Sequence, residues 1–319
     1  MRKIPALLAA LGLAALSLTG CTSVGASSCT RSAAADAQLQ SRVDVSGEVG
    51  SAPVVSFDTP MHLEQSSSWE VVAGEGTPIV ADDQLVVLDV ALYSGSTGDA
   101  LVSTAFDGDM SRTFTLTQWI TSFPDFGTLL HCATPGSRVV VALPPGGVEE
   151  QTATSLGLAD DESTLVVVDV GKTYLARAAG TTVFNDAHGM PTVVRAPSGQ
   201  PGIILPDTEP PGDITVQTLI RGEGAVLTDS DTARVHYTGM PWETGGTVFA
   251  TTWGSAPESV SVSDPVLPGF AEALQGQTVG SQVLVVVPAD EVPADASGVP
   301  TGTALVYVID ILGTDAAAQ

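Results

Sequence analysis

Positive charge is scarce in this sequence of 319 residues. Lys and Arg together number 11 against 36 Asp and Glu, which gives a formal net charge of −25 at pH 7. A surface of this sign repels phosphate backbones and anionic lipid headgroups. We therefore expect no nucleic-acid partner, and we do not expect electrostatic attraction to hold the protein on a membrane.

The signatures of several metal sites and enzyme classes are also missing. The three cysteines form no Cys-x-x-Cys pair, and the four histidines lack the spacing of zinc ligands. No acidic run has the order of a calcium-binding loop. Gly222-Glu223-Gly224 lacks the third glycine and the basic residue of a phosphate loop, and no Gly-x-Ser-x-Gly element marks a hydrolase. The sequence therefore predicts no metal and no cofactor.

No apolar run is long enough to cross a membrane, which takes about 20 residues. Arg2-Lys3 precedes an apolar stretch from Ile4 to about Leu18, and small residues follow it. This pattern is typical of a secretory signal. The end of the stretch, Leu18-Thr19-Gly20-Cys21, resembles a bacterial lipobox, which predicts a lipid on Cys21 and an extracytoplasmic protein anchored to the outer face of the cell membrane. The alternative is an ordinary signal peptide with a coincidental cysteine.

Length and composition divide the rest of the chain. A chain of this length suggests two domains, and 33 Gly and 21 Pro together with many Val and Thr favour strands and turns. We interpret residues 1–20 as a signal peptide, 21–50 as a lipid-anchored flexible tether, and 178–211 as a proline-rich linker. The folded domains are then 51–177 and 212–315. Cys29 and Cys132 could pair outside the membrane, and the sequence leaves that pairing open.

The two predicted domains repeat one another. Five elements recur in the same order over roughly 100 residues, which indicates a tandem duplication. The matching segments are 69–76 with 218–224, 85–92 with 233–240, 102–106 with 248–253, 120–126 with 264–270, and 135–144 with 279–288.

Each copy has the pattern of several strands and one short helix. In the second copy the helix is predicted over 268–276, because Pro suits a first helical position, Gly276 can end the helix, and Phe270 and Leu274 share one face. Strands are predicted at 214–220, 232–239, 247–251, 259–263, 281–287 and 304–312. Neighbouring strands covered by one helix give an antiparallel α+β domain.

The second copy also gathers aromatic and aliphatic residues around these elements. Tyr237, Phe249 and Phe270, with Val266 and Leu267 before the helix, predict a small apolar pocket with one hydroxyl. Such a pocket suits an uncharged, proline-like group and little acid–base chemistry. The alternative interpretation is that these side chains are ordinary core residues of a small β domain.

The combination of His-Tyr-Thr-Gly-Met at 236–240, Val-Phe at 248–249 and Val-Leu-Pro-Gly-Phe at 266–270 resembles the FKBP-type peptidyl-prolyl cis-trans isomerases. The resemblance spans about 214–313. It implies two tandem FKBP-like domains, each a twisted half-barrel sheet wrapped around its helix. The implied partners are proline-containing exported polypeptides and macrolide ligands of the pocket.

Carried over by position, the resemblance assigns six pocket residues. Tyr237 and Phe249 become the pocket tyrosine and phenylalanine. Val266 and Leu267 supply a backbone N–H for the substrate carbonyl, Phe270 is the aromatic floor, and Tyr307 is the aromatic of the last strand.

This chain departs from the family pattern at three places. Ala250 replaces an aspartate, Phe270 replaces a tryptophan, and the loop 291–300 lacks the tyrosine whose hydroxyl contacts substrate. The first copy departs further, with Asp89 aligned to Tyr237, and is interpreted as a non-catalytic spacer or peptide-binding module. The alternative function for the whole chain is a non-catalytic, peptide-binding or chaperone lipoprotein.

Overall fold

The computed structural model describes residues 29, 36–184, 187–243, 246–294 and 298–315. The predicted signal peptide, Cys21 and residues 22–28 and 30–35 of the predicted tether lie outside the described residues. None of the helices in the described part of the chain combines the length and hydropathy needed to span a bilayer.

Short strands dominate the described chain. The strands are β1 (Val43–Ser46), β2 (Val54–Phe57), β3 (Ser67–Val72), β4 (Leu85–Ser94), β5 (Ala100–Ser103), β6 (Phe114–Thr115), β7 (Arg138–Leu143), β8 (Thr164–Thr173), β9 (Gly180–Thr182), β10 (Thr192–Arg195), β11 (Pro201–Ile204), β12 (Thr215–Gly222), β13 (Thr232–Pro241), β14 (Ala250–Thr251), β15 (Glu258–Ser261), β16 (Gln282–Val287) and β17 (Leu305–Asp315). The helices are α1 (Ala37–Gln40), α2 (Leu116–Ser122), α3 (Phe126–Leu129), α4 (Glu150–Leu156) and α5 (Phe270–Leu274), with a 3-10 turn at Ala289–Glu291.

Two large antiparallel sheets have the same strand order. The first runs β3-β7-β8-β4-β5, with β6 also paired to β4. The second runs β12-β16-β17-β13-β14, with β15 also paired to β13 and β9 added beside β12. Even the register shift recurs, between Val87 and Leu88 on β4 and between Arg234 and Val235 on β13.

The shared register corrects one alignment made from sequence. Asp89 pairs with Asp169, and His236 pairs with Asp310, at the same place in the two sheets. Asp89 therefore corresponds to His236, and Val90 corresponds to Tyr237. The sequence alignment was displaced by one residue, which in a strand moves every side chain to the other face.

The inner face of each sheet packs on its helices. In the first domain Phe126 on α3 and Leu116 on α2 are fully buried against strands β4, β7 and β8. In the second domain Phe270 and Leu274 on α5 are fully buried against β13, β16 and β17. All six residues of β7 and all six of β16 are buried, so both faces of each central strand are covered.

A β-hairpin covers the outer face of each sheet. The hairpin β1–β2 packs on the first sheet, where Trp69, Tyr93 and Val140 are buried. The hairpin β10–β11 packs on the second sheet through Val193 and Ile203. Part of the predicted linker 178–211 is therefore structured, and β9 within it extends the second sheet.

A buried polar pair fixes each hairpin. In the first domain the Arg138 guanidinium binds the Asp169 carboxylate at 2.6 Å and donates to the carbonyls of Gly47 and Ser51 at 2.9 and 2.7 Å. In the second domain Gln282 and Asp310 occupy the same two register positions. There Arg195 of the hairpin donates to the Gln282 side chain at 2.7 Å.

The end of the first domain contacts the end of the second. Asp315 accepts from Lys172 Nζ at 2.8 Å and from Arg234 Nε at 2.6 Å, and also from the Tyr174 hydroxyl. The backbone N–H of Leu175 donates to the carbonyl of Leu312 at 2.9 Å. The last strands of the two sheets are therefore joined end to end.

A disulfide joins Cys29 to Cys132. It links the segment before α1 to the loop that follows α3. The His131 ring lies beside it, with Nε2 3.7 Å from Cys29 Sγ.

Candidate functional site

An aromatic cluster lies between the second sheet and α5. The Tyr307 ring is its centre, with ring centroids 5.2 Å from Phe270, 5.7 Å from Phe249 and 6.4 Å from Tyr237. Tyr237 meets Phe270 edge to face at 5.3 Å. These interplanar angles, from 66° to 89°, are the arrangements that aromatic quadrupoles favour. Four of the six residues predicted from sequence are thus brought together.

Two glycines permit this close packing. A Cβ on Gly239 would lie 2.7 Å from the Tyr307 ring and 3.0 Å from the Phe249 ring, so any other residue would push the two rings apart. Gly269 has a φ of +80°, and a Cβ there would lie 2.4 Å from Val287. Glycine is the residue that tolerates both constraints, and it starts α5 directly before Phe270.

The remaining two predicted residues sit at the edge of the cluster. Leu267 is half-buried and packs against the core of the second domain, and its carbonyl accepts from the Phe270 N–H at 3.4 Å. The Val266 side chain is 94% exposed, so it does not join the cluster. Val248 is 50% exposed on the neighbouring loop. Exposed aliphatic side chains therefore lie close along the chain to Phe249 and Phe270.

The two tyrosine hydroxyls of the cluster have different surroundings. Burial raises the pKa of Tyr237 to about 12, and the Glu258 side chain beside its hydroxyl adds to the shift. Burial also raises the pKa of Tyr307, with a smaller contribution from Tyr237. Within the described part of the chain, the Tyr307 hydroxyl is buried without a hydrogen-bond partner. Both phenols are therefore protonated at neutral pH and can act as donors.

Glu258 is a site residue that the sequence reasoning missed. On β15 it pairs with Val235 of β13, so it lies on the same sheet face as Tyr237 and diagonal to it. Val260, two residues further along β15, is buried in the core of the second domain. Glu258 and Val260 therefore lie on the face of β15 that is turned towards this core. Glu258 thus supplies a carboxylate beside the pocket tyrosine, although Ala250 has none to offer.

The equivalent positions in the first domain hold no hydroxyl. Register equivalence places Val90 at Tyr237, Leu101 at Phe249 and Val166 at Tyr307. The floor remains aromatic, because Phe126 starts α3 and stacks on Phe123 with ring centroids 4.5 Å apart. The first domain therefore keeps the fold of the cluster and replaces its walls with aliphatic side chains.

Helix α4 also covers the equivalent site of the first domain. The Glu149 N–H donates to the Ser122 carbonyl at 3.0 Å, at the position that Val266 has in the second domain. Ala153 and Leu156 of α4 pack against the first core, and Val148 before the helix is buried in it. Residues that follow β7 therefore pack over the equivalent site of the first domain.

Two cavities lie away from the aromatic cluster. One of about 260 Å³ lies beside α4 and is lined by acidic and small residues, including Glu149, Asp160 and Glu162. The other, of about 270 Å³, is lined by Arg177, Arg195 and Asp310 between the hairpin and the second sheet. Cys29, His131 and Cys132 form a group with metal-ligand geometry, but both sulfurs are in the disulfide and cannot bind a metal as thiolates.

Comparison with known proteins identifies the second sheet and its helix. A family model described as FKBP-type peptidyl-prolyl cis-trans isomerase matches residues 224–312. A probable FK506-binding protein of Corynebacterium glutamicum is 30% identical over 115 residues, which are 35% of this chain and 97% of the relative. An FK506-binding protein of Streptomyces anulatus is 29% identical over 119 residues, covering 35% and 95% of the two chains.

A third relative carries the enzyme name. The FKBP-type 22 kDa peptidyl-prolyl cis-trans isomerase of Escherichia coli is 34% identical over 100 residues, which are 30% of this chain and 47% of the relative. The segment that matches the family model, 224–312, contains the whole aromatic cluster and Glu258. This chain belongs to the FKBP-type peptidyl-prolyl cis-trans isomerases.

Proposed function

We propose that the second domain, residues 212–315, isomerises X–Pro bonds of exported polypeptides, and that the aromatic cluster is its proline pocket. The observation that carries this proposal is the convergence of Tyr237, Phe249, Phe270 and Tyr307 on one apolar site. Leu267 completes the wall, and a backbone N–H of Val266 or Leu267 would donate to a substrate carbonyl.

The chemistry needs no nucleophile. An X–Pro bond isomerises over tens to hundreds of seconds because its amide resonance must be broken. A dry aromatic pocket removes water from the charge-separated planar amide, and it accelerates the reaction if it binds the twisted geometry more tightly than the planar one. Each tenfold acceleration takes about 1.4 kcal/mol of such differential binding.

The first domain serves, in this proposal, as a second FKBP-like unit without activity. Its walls are Val90, Leu101 and Val166, and α4 closes its mouth. A filled site neither binds a proline ring nor presents a hydroxyl to it. This favours a spacer role over the peptide-binding role that the sequence also allowed.

The location of the protein is part of the same proposal. A lipid on Cys21 would anchor the chain to the outer face of the cell membrane, where exported polypeptides emerge. The disulfide between Cys29 and Cys132 supports an oxidising compartment, since disulfides persist outside the cytoplasm. Two relatives are named for binding FK506, and by that likeness the pocket would also take a macrolide.

A protease-coupled assay on a proline peptide tests the enzyme. The full chain should accelerate isomerisation, and Phe249→Ala should lower kcat/KM at least about tenfold, because one lost aromatic wall removes about 1.5–3 kcal/mol of burial. Leu101→Ala, the matched change in the first domain, should leave the rate unchanged. FK506 should inhibit the wild type.

A second candidate function remains, in which the chain binds proline peptides without isomerising them. It is favoured by Ala250 and by the loop 291–300, which has no tyrosine. Binding of the peptide with no acceleration over the uncatalysed rate would select this function. Acceleration that survives Phe249→Ala would place the active site outside the aromatic cluster.

A further inference from the structure

The hydroxyl of Tyr307 stands apart from the other polar groups of the second core. Tyr307 lies on β17 between Gly239 of β13 and Val285 of β16, and the residue is 0% exposed. Its ring touches the other three aromatic rings of the cluster. Its hydroxyl has no hydrogen-bond partner among the described residues.

An unpaired buried hydroxyl destabilises a fold, because the group has lost its contacts with water and gained none in return. A phenylalanine at this position would keep every ring contact and avoid that cost. The hydroxyl is therefore a donor within the aromatic cluster that the fold of the free protein does not use.

The neighbouring tyrosine is not equivalent. The hydroxyl of Tyr237 already faces the carboxylate of Glu258, whereas the Tyr307 hydroxyl has no hydrogen-bond partner among the described residues. Of the two phenols in the cluster, Tyr307 is the one whose proton is uncommitted. Burial raises its pKa, so the proton stays on the oxygen.

The reaction itself creates an acceptor for such a donor. In a planar amide the nitrogen lone pair is delocalised into the carbonyl, and the nitrogen accepts hydrogen bonds poorly. When the X–Pro bond twists by about 90°, resonance is lost and the lone pair returns to the nitrogen. A donor placed at the proline nitrogen therefore binds the transition state better than the ground state. A donor placed at the carbonyl of the twisting X–Pro amide itself would instead favour the planar form.

We propose that the Tyr307 hydroxyl donates a hydrogen bond to the nitrogen of the substrate proline as the X–Pro bond twists. This inference rests on the proposed function of the second domain, and it adds a catalytic residue on the last strand. No covalent bond forms or breaks, and the proton stays on Tyr307 throughout.

Tyr307→Phe in the full chain is the test, measured as kcat and KM in the protease-coupled assay together with Tm. One hydrogen bond gained only in the transition state predicts a fall in kcat of roughly three- to tenfold. KM should be unchanged, and Tm should rise because the unpaired hydroxyl is gone. Loss of rate with gain of stability is an outcome that a purely structural role does not produce.

The matched control is Thr164→Val in the first domain. Thr164 is also buried and its hydroxyl also lacks a partner in the described chain, so its removal should raise Tm and leave kcat unchanged. If Tyr307→Phe keeps the wild-type kcat, or lowers Tm, the assignment of its hydroxyl is wrong. If the wild type itself shows no acceleration, the proposed function fails first and this inference falls with it.

Discussion

At the scale of single residues, the pocket of the second domain keeps the phenylalanine of the family pattern at Phe249. Its carboxylate, however, comes from a different position in the chain. The family pattern places an acid at the position of Ala250, next to Phe249. This chain instead carries Glu258 on the neighbouring strand β15, where the register brings it beside Tyr237. A carboxylate facing a phenol accepts its hydrogen bond and orients the ring.

Replacement of Glu258 by glutamine tests this role. Glutamine keeps the length and an acceptor oxygen but loses the charge, so we expect kcat/KM to fall roughly two- to fivefold. Asp264→Asn removes the same charge from a nearby exposed position and should have no effect. Equal losses in both variants would mean that long-range charge, and not the contact with Tyr237, is responsible.

The sequence revealed the rings of this pocket but not their polar partners. Tyr237, Phe249 and Phe270 stand in short motifs whose order resembles a known family, so pattern and resemblance together found them. Glu258 is distant along the chain from Tyr237, and only strand pairing brings it there. The unpaired state of the Tyr307 hydroxyl could not be predicted from sequence either, because it depends on which polar groups the tertiary structure places within hydrogen-bond distance.

At the scale of secondary-structure elements, strands β13 and β17 hold a second polar pair on the opposite face of the sheet. His236 and Asp310 are register partners and both are buried. The His236 ring stacks on Trp253 with centroids 4.6 Å apart, and Nδ1 contacts Thr252 Oγ1 at 2.9 Å. Burial lowers the pKa of His236 to about 4 and raises the pKa of Asp310 to about 6.

These two pKa shifts have opposite effects on the stability of the folded protein as pH changes. Below its unfolded pKa of 6.5, His236 binds more protons in the unfolded chain, so its contribution to stability is lost as pH falls towards 4. Between 3.8 and about 6, Asp310 binds more protons in the folded chain, so its contribution is lost as pH rises. We expect the two slopes to cancel in large part in the wild type between pH 4 and 6.

Single variants should separate the two slopes. Relative to the wild type, Asp310→Asn should become more stable as pH rises from 4 to 6, because only the His236 contribution remains. His236→Gln should show the opposite trend over the same window. Free energies of unfolding from urea titrations at several pH values measure both. Slopes of the same sign in the two variants would contradict the assignment.

The hairpins are the elements that sequence reasoning missed. Residues 192–204 form β10 and β11, yet prolines flank these four-residue strands and the segment resembles a linker. Their identity comes from long-range contacts, since Val193 and Ile203 cover Met240 and Val306 on the second sheet. The repeated order of motifs is a local property of the sequence, and it agrees with the two sheets of the same strand order.

The boundaries of an isolated isomerase domain follow from these contacts. A fragment of 176–319 keeps β9, the hairpin β10–β11 and the bond from the Ala178 N–H to Asp310 at 2.7 Å. A fragment of 210–319 loses all three and exposes the outer face of the sheet. We expect the shorter fragment to unfold at a Tm at least about 5 °C lower. Equal melting temperatures would show that the hairpin does not stabilise the second domain.

At the scale of the whole molecule, the same strand order occurs in two sheets whose sites carry different side chains. Both copies carry an outer hairpin, a buried polar pair that fixes it, and an inner helix that begins with phenylalanine. Of the two described sites, the second alone has aromatic walls. Asp315, held by Lys172, Tyr174 and Arg234, joins the two copies at the ends of their last strands.

The disulfide between Cys29 and Cys132 would also shorten the proposed tether to the membrane. If Cys21 carries the proposed lipid, only residues 22–28 separate the bilayer surface from a covalent attachment on the first domain. Even fully extended, that segment spans no more than about 30 Å. The longer tether predicted from the sequence, 21–50, would let the enzyme move far from the membrane. The shorter segment 22–28 would hold the first domain close to it. In that proposed arrangement the first domain would separate the pocket of the second domain from the membrane by a limited distance.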